Sequence, residues 1–405
     1  MEKAKPFSIS KQLVWNAFKK VKENKGAAGI DEQSIADFES NLKGHLYKLW
    51  NRMSSGSYFP SEVKHVSLPK KTGGTRTLSI PTVTDRIAQM VVKLSLEPKV
   101  DGYFHPDSYG YRPNKSSLKA IATCRERCWK YPWVIDLDIK AFFDNVNHQL
   151  LLKAVEKHVT ESWELLYIKR WLKHNGQEKG VPQGGVISPL LANLFLHYTF
   201  DKWFQKYYPQ NHFERYADDI IVHCRTKGEA MALEHAIAIR LRDCGLEIHP
   251  EKTQIAFCKN SNLQGIHKKQ SFEFLGYCFR PRLTRSHAGN LFVGFTPAIS
   301  PASAKAIRHK IRQWRLGHQT RLSLEEIAQK INPSLRGWIN YFGAFNRSQV
   351  MNVLKYLETR LFKYVKRKYK KRCNHLRRAK YFLVAVYQHK PNLFAHWENG
   401  LHPRV

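Results

Sequence analysis

The sequence predicts an α+β chain followed by a purely helical module. Short apolar runs with a two-residue period come in pairs joined by turns, which implies hairpins and a mainly antiparallel sheet. Apolar stripes of helical spacing lie between those runs. Beyond Pro301 the two-residue period stops and only helical stripes remain. With 405 residues and 42% apolar composition, the chain is long enough for two or three domains and can bury real cores.

Taken in order, residues 9–60 read as helical, with Leu13, Ala17 and Val21 on one stripe and Leu42, Leu46 and Leu49 on another, broken by the Gly26 to Asp31 turn. Val66-Ser-Leu68-Pro69-Lys70 and Thr75-Arg76-Thr77-Leu78-Ser79-Ile80 alternate around Gly73-Gly74, a hairpin with a basic face. Helices follow over Asp85 to Leu96, stopping before Pro98, and over Ser116 to Trp129. Trp133 to Ile139 reads as a strand, then helical patterns run through Val155 and cover 161–174 and 188–206. A second hairpin centres on Asp218, a helix covers 228–243, and short strands are expected at Leu246 to His249, Thr253 to Cys258 and Phe272 to Phe279. After Pro301, one helix carries Ile307, Ile311 and Trp314. A second opens with the capping box Ser323-x-x-Glu326, and a later one carries Leu354, Leu357, Leu361 and Val365. These give an expected division into a basic helical segment 1–60, a mixed region 61–290, a helical module 300–370 and a basic tail 371–405.

Charge narrows the function. Lys and Arg number 67 against 33 Asp and Glu, a net +34 that exceeds what solubility requires and implies a polyanionic partner. A phosphate backbone fits, whereas no apolar stretch reaches the roughly 18 to 20 residues of a membrane span. The basic run Lys366 to Arg372 interleaves with Tyr364, Tyr369 and Tyr381, rings that can stack on bases. No secretory leader is evident in Met1 to Gln12, and seven scattered cysteines fit reduced thiols; both point to the cytoplasm. Cys124 and Cys128 lie one helical turn apart, but no second pair completes a metal site.

The chemistry centres on Tyr216-Ala-Asp218-Asp219, where strand-like runs flank two adjacent carboxylates. Asp-Asp is a common turn dipeptide, and a turn tip is also where hard oxygen ligands can hold Mg²⁺ against a substrate phosphate. Two-metal phosphoryl transfer needs several carboxylates converging on one point. Asp138 at the end of an apolar strand is a natural partner, Asp136 shares its face by period, and Asp144 is a third candidate.

Three blocks in order, Asp138-Ile-Lys140-Ala-Phe-Phe143-Asp144, Val181-Pro-Gln183-Gly184-Gly185-Val-Ile-Ser188-Pro189 and Tyr216-Ala-Asp218-Asp219, resemble the palm of group II intron reverse transcriptases. Ser79-Ile-Pro81, Asp85-Arg86, Ser108-Tyr-Gly110-Tyr-Arg112-Pro113, Pro250-x-Lys252-Thr, Phe274-Leu-Gly276 and Arg336-Gly-Trp338-x-x-Tyr341-Phe342 also have counterparts there. The resemblance covers nearly the whole chain. It implies a right-hand polymerase, fingers and palm followed by an α-helical thumb and maturase module. It selects Asp138 over Asp136 as the first metal ligand, joined by Asp218, Asp219 and the carbonyl of Ile139, holding two Mg²⁺ ions that Mn²⁺ can replace.

The same resemblance gives Lys70 and Arg76 the triphosphate, Phe143 a place beneath the incoming sugar, Gln183 a place near nucleotide and template, and Lys252 a place near primer or nucleotide. Arg112, Lys115 and Tyr216, with Arg336, Lys366, Arg367, Lys370 and Lys371, become candidates for nucleic-acid contact. The implied function is RNA-directed DNA polymerisation for a group II intron, with binding of intron RNA and help in splicing and mobility. The implied partners are intron RNA template, DNA primer or target and deoxynucleoside triphosphates, in a nucleoid-associated cytoplasmic setting. Paired cysteines and a His-Asn-His-like pattern of an endonuclease domain are not found before Val405, so a primer end is expected from elsewhere. Two rival expectations are a host-adapted relative serving defence or DNA repair and a nonenzymatic splicing cofactor, the latter opposed by the intact Asp138, Asp218 and Asp219.

Overall fold

The computed structural model of the chain describes residues 5–69, 75–173, 176, 178–263, 265–285, 288–371, 373 and 375–404. Among them are the strands β1 (Lys64–Pro69), β2 (Thr75–Ile80), β3 (Trp133–Asp138), β4 (His212–Tyr216), β5 (Asp219–Cys224), β6 (Gln254–Phe257), β7 (Phe272–Phe274), β8 (Tyr277–Arg285) and β9 (Leu291–Ile299). The chain divides into two units, Met1–Ala120 with Leu137–Thr253, and Ile121–Asp136 with Gln254–Val405.

The first unit opens with helices Lys11–Glu23, Ile35–Ser40 and Leu42–Ser54. Ser10 and Ser34 cap the first two by accepting from Leu13 and Asp37 backbone N–H groups, which supplies partners that a helix start otherwise lacks. β1 and β2 pair antiparallel from Lys64↔Ile80 to Pro69↔Thr75. The following helix, Val83–Asp101, does not stop before Pro98 but runs through it. Loss of one backbone donor at Pro98 is outweighed because Leu96 and Val100 on either side are fully buried.

Two further expectations are corrected in this unit. The stretch 188–206 is three pieces, Ser188–Leu196, a π-helical turn His197–Asp201 and Lys202–Tyr207. Leu246 to His249 is not a strand: Ile248 makes a single antiparallel bridge to Ile139. Flanking bonds from Lys140 N–H to Glu247 O and from His249 N–H to Asp138 O, each 2.8 Å, still tie this segment to the end of β3.

In the second unit β3 and β6 pair antiparallel from Trp133↔Phe257 to Asp136↔Gln254. A separate sheet has the order β7-β8-β9, and it corrects the single strand expected over Phe272 to Phe279: Leu275 and Gly276, both at positive φ, turn the chain so that β7 pairs antiparallel with β8, Phe272 opposite Phe279, and β8 goes on into a nine-pair ladder with β9. Helices Pro301–Gln313 and Leu324–Lys368 follow, the second broken at Asn346, where φ −148° and ψ 81° leave the helical region. The Ser323–Glu326 capping box forms as expected, with Ser323 N–H donating to Glu326 Oε2 at 2.6 Å and Glu326 N–H to Ser323 Oγ at 3.1 Å.

Residues 371–405, read from sequence as a basic tail, carry the helices Leu376–His389 and Ala395–Glu398. Leu383, Phe394, Ala395 and Trp397 join Ile311, Leu335, Leu354 and Leu361 in one buried core. A single carboxylate anchors this end: Glu358 Oε1 accepts from Trp397 Nε1 at 2.7 Å and faces His396 Nε2 at 2.5 Å. Cys124 and Cys128 are buried, and no helix among the described residues is long and apolar enough to cross a membrane.

Trp397 tests whether the end of the chain belongs to the core. Trp397→Ala is expected to cost about 3–5 kcal/mol in urea denaturation, as truncation of a buried tryptophan does, whereas a detached tail would leave the midpoint unchanged.

Candidate active site

β4 and β5 form a hairpin with Tyr216 opposite Asp219, leaving Ala217 and Asp218 as its two-residue tip. Such tips need positive φ, and Ala217 sits at φ 56°, a conformation that costs a residue with a Cβ about 1 kcal/mol. Two neighbours hold it there. Arg215 donates from Nη1 to the Ala217 carbonyl at 3.3 Å. Gly110 lies so close that a Cβ on it would stand 2.5 Å from Ala217 N and 3.0 Å from Tyr216 C.

Arg215 is the hub beneath this turn. Its side chain is fully buried and grips Asp201 bidentately, Nε to Oδ1 at 2.8 Å and Nη2 to Oδ2 at 2.6 Å. Burial alone would raise the Asp201 carboxyl, but the adjacent guanidinium prevails and holds it below the usual carboxylate range. Arg215 Nη1 also donates to Asn193 Oδ1 at 2.9 Å, and Asn193 Nδ2 donates to the Gly110 carbonyl at 2.6 Å. Backbone bonds from Tyr109 N–H to Arg215 O and from Arg215 N–H to Asp107 O close the loop around β4.

The π-helical turn ends at Asp201 and so presents its carboxylate to this network. Arg215, Asp201 and Asn193 escape sequence reasoning because buried polar partners leave no periodic signal. Gly110 lies in a recognised block, but only the structure gives its reason.

Asp138, Asp218 and Lys252 meet above the network. Lys252 Nζ stands 3.4 Å from both carboxylate oxygens of Asp138, with both side chains partly exposed. Burial raises the Asp218 carboxyl above its ordinary range; its own backbone N–H, Lys252 and Arg215 oppose the shift, while the charge of Asp138 adds to it. Asp219 begins β5 next to Asp218. Thr253 Oγ1 and the His249 N–H both bond the Asp138 carbonyl, so β3 ends in a fixed position. Asp136, by contrast, accepts at Oδ2 from Gln254 Nε2 at 2.9 Å within β3–β6 pairing. Two carboxylates in Coulombic contact, one half-buried and with its pKa raised, form an all-oxygen donor set of the kind that suits a hard divalent cation.

The other expected residues fall into several places. Phe143 and Gln183 line one cavity of about 740 Å³ with His65, Thr77, Ser79 and Asp144. Ser79 N–H donates to Gln183 O at 2.7 Å, and Gly184, at φ +116°, has its would-be Cβ 2.4 Å from Ser79 O. Arg76 is exposed on β2 opposite Leu68. Lys70 lies outside the described residues. Ile139 is buried, with its bridge to Ile248. Tyr216 lies half-buried beside Tyr111, ring centroids 5.9 Å apart.

Three residues expected at nucleic acid have protein partners in the structure. Arg112 is a structural clamp, its guanidinium 7% exposed and bonded to Asp101 Oδ1, Asp101 O, His105 O and Ser108 O. Lys115 donates to Pro106 O at 2.6 Å and lies over Tyr109, and burial followed by Arg112's charge lowers its pKa. Tyr364 is buried with its hydroxyl on Leu322 O, so its ring cannot stack on a base. In the second unit Arg336 pairs with Glu398 at 3.3 Å, Arg367 donates to Gly317 O at 3.3 Å, and Lys366, Lys370 and Lys371 are exposed. Trp338 stacks on Trp314 with centroids 5.6 Å apart, which gives the Arg336-Gly-Trp338 block a packing reason.

Asp201→Ala strips a fully buried guanidinium of its partner and is expected to destabilise the chain by about 3–5 kcal/mol in chemical denaturation. Asp218→Asn should act in the opposite direction. A raised carboxyl favours the folded state below the ordinary pKa of 3.8 and loses that contribution as pH rises through its folded value. The variant is therefore expected to melt above the unmodified protein at pH 7, the gap closing as pH falls toward 4. Added Mg²⁺ should stabilise the unmodified protein more than the variant, and equal melting curves at pH 7 would refute the carboxylate clash.

The family model for reverse transcriptase (RNA-dependent DNA polymerase) matches residues 68–279, just over half of the chain, and the group II intron maturase-specific domain matches residues 304–382. Protein YkfC of Escherichia coli is 35% identical over 202 residues, 46% of this chain and 52% of that protein. Group II intron-encoded protein LtrA of Lactococcus lactis is 30% identical over 204 residues, 47% of this chain and 33% of that protein. The chain thus spans about half the length of the first of these relatives and a third of the second. A telomerase structure from Candida albicans has a TM-score of 0.46 at 12% identity over 91% of this chain and 68% of that one, a level from which nothing is drawn. With the matched region enclosing Asp138, Asp218, Asp219 and Lys252, the chain belongs to the reverse transcriptase (RNA-dependent DNA polymerase) family.

Proposed function

We propose that the chain is the RNA-directed DNA polymerase of a group II intron and that it also binds intron RNA and assists splicing and mobility. The observation that carries the reading is the meeting of Asp138, Asp218 and Lys252 at a hairpin tip inside the reverse transcriptase match, on a chain that also matches the maturase-specific domain. Asp138, Asp218 and Asp219 would hold two Mg²⁺ ions with help from the Ile139 carbonyl. Bound there, such ions would supply the acidity that activates a primer 3′-hydroxyl and the positive charge that offsets a leaving pyrophosphate.

The protein's own groups position the reactants. Phe143 lies in the 740 Å³ cavity, a volume within the usual range for small-ligand sites, where it bounds the sugar of a deoxynucleotide and excludes a 2′-hydroxyl. Gln183 faces the same cavity and contacts the nucleotide and its template base. Arg76 on β2, with the guanidinium fork suited to phosphate oxygens, takes the triphosphate together with Lys70. Lys252, whose ammonium faces the Asp138 carboxylate, lies near the primer end or the nucleotide. Arg336, Lys366, Arg367, Lys370 and Lys371 contribute to an RNA-binding surface on the helical module, which fits the net charge of +34.

The purified protein is expected to extend a DNA primer on an RNA template in Mg²⁺. Asp218→Ala should lower extension by at least about a thousandfold, the scale on which electrostatic preorganisation acts, while RNA affinity changes less than about threefold. Extension that survives Asp218→Ala would sink the assignment of the site.

A further inference from the structure

The second unit contains a cavity of about 250 Å³ lined by β8, the helix Pro301–Gln313 and the part of Leu324–Lys368 that follows Asn346. Three guanidinium groups line it, from Arg280, Arg282 and Arg308, together with the amides of Gln349 and Asn352. Cys278, Arg280 and Arg282 follow one another at the two-residue period and so share one face of β8. Arg282 is fixed by its own hydrogen bonds, Nε to Thr296 O at 3.2 Å and Nη2 to Cys278 O at 3.1 Å. Arg280 and Arg308 stand exposed at the rim.

Among the described residues the lining holds no carboxylate, and none of the three arginines has an ion pair. Arginine does not shed its proton in proteins, so like charges gathered at one cavity repel with nothing to offset them. Burial, then the charge of Arg280, works against the charged form of Arg282. These features have a common resolution in a multivalent anion. A tetrahedral oxyanion offers several acceptors to guanidinium forks and amide N–H groups at once. At about 250 Å³ the cavity is below the range for drug-sized ligands, which admits a phosphate and part of its ester but not a whole nucleotide.

We infer that this arginine-lined cavity is a phosphate-binding site, taking either a backbone phosphate of a nucleic-acid strand or free phosphate. It shares no residue with the Asp138–Asp218 site, and its tests read binding and melting instead of primer extension. Its failure therefore leaves the polymerase reading standing.

The double variant Arg280→Gln/Arg308→Gln removes two rim charges and leaves the backbone bonds of Arg282 in place; Arg308→Gln alone serves if the pair does not fold. The charge-matched control is Arg321→Gln/Lys330→Gln, two exposed cations elsewhere in the same unit. In one arm, fluorescence anisotropy follows a labelled RNA oligonucleotide across a salt series. The double variant is expected to lose about tenfold in affinity relative to the control, with a log–log salt slope shallower by about 0.7 for one phosphate contact on a single strand. In the other arm, inorganic phosphate replaces chloride at equal ionic strength and melting is followed. A phosphate-dependent rise in the control that the double variant lacks identifies free phosphate as the ligand, and an effect confined to RNA identifies the strand. If the double variant matches the control in both arms, the proposal is overturned.

Discussion

The candidate site depends on one buried ion pair. Arg215 and Asp201 are both fully inaccessible, and taking two charges out of water is costly unless geometry and further hydrogen bonds compensate. Here they do so: both carboxylate oxygens are used, and the remaining donors reach Asn193 and the Ala217 carbonyl. The pair thereby fixes a backbone turn that alanine disfavours. Gly110, anchored through Asn193, closes the space against the other side of the same turn. The interaction that secures the turn's position is thus electrostatic and lies beneath it, with no recourse to Asp138 or Asp218.

Above the turn the electrostatics run in the opposite sense. Asp218 is largely withdrawn from water, Asp138 stands near it with the same charge, and Lys252 offers only long, partly exposed contacts at 3.4 Å. The arrangement is locally unfavourable and is held by the favourable network below. Such a division, with strain at the reactive surface and stability in the layer supporting it, is what a preorganised cation site requires. The second unit shows a related economy at Glu358, whose single oxygen Oε1 serves both His396 and Trp397 and fastens the end of the described chain into the helical core.

Much of this was legible in the residues, for reasons that can be given one by one. The β4–β5 hairpin is visible because apolar residues flank a polar two-residue tip, and the Ser323–Glu326 cap because both partners lie three positions apart. Asp138 and Asp136 could not be separated by period; the structure separates them by partner, Lys252 for one and Gln254 for the other. The passage of a helix through Pro98 was hidden because burial of Leu96 and Val100 overrides a local rule. The π-helical turn at His197–Asp201 was hidden because one extra residue in a helical turn leaves the apolar pattern almost intact. Arg112 and Tyr364 were misread for a shared reason: a long polar or aromatic side chain in a basic stretch has the same sequence whether its tip meets solvent or a backbone carbonyl. The helices after residue 371 were masked by their lysines and arginines, which sit on the outer faces of segments whose inner faces are apolar.

The bond from Ser79 to the Gln183 carbonyl, together with the close seat of Gly184 on Ser79, has a mechanical consequence. β2 carries Arg76 and is paired along its length with β1, so the two strands make one lever. The loop bearing Gln183 is riveted to that lever near its base. On the proposed reading, with Arg76 at the triphosphate and Gln183 at the base, a swing of the hairpin would also reset the wall facing base and sugar, so that phosphate capture and checking of the base would be a single motion rather than two independent ones.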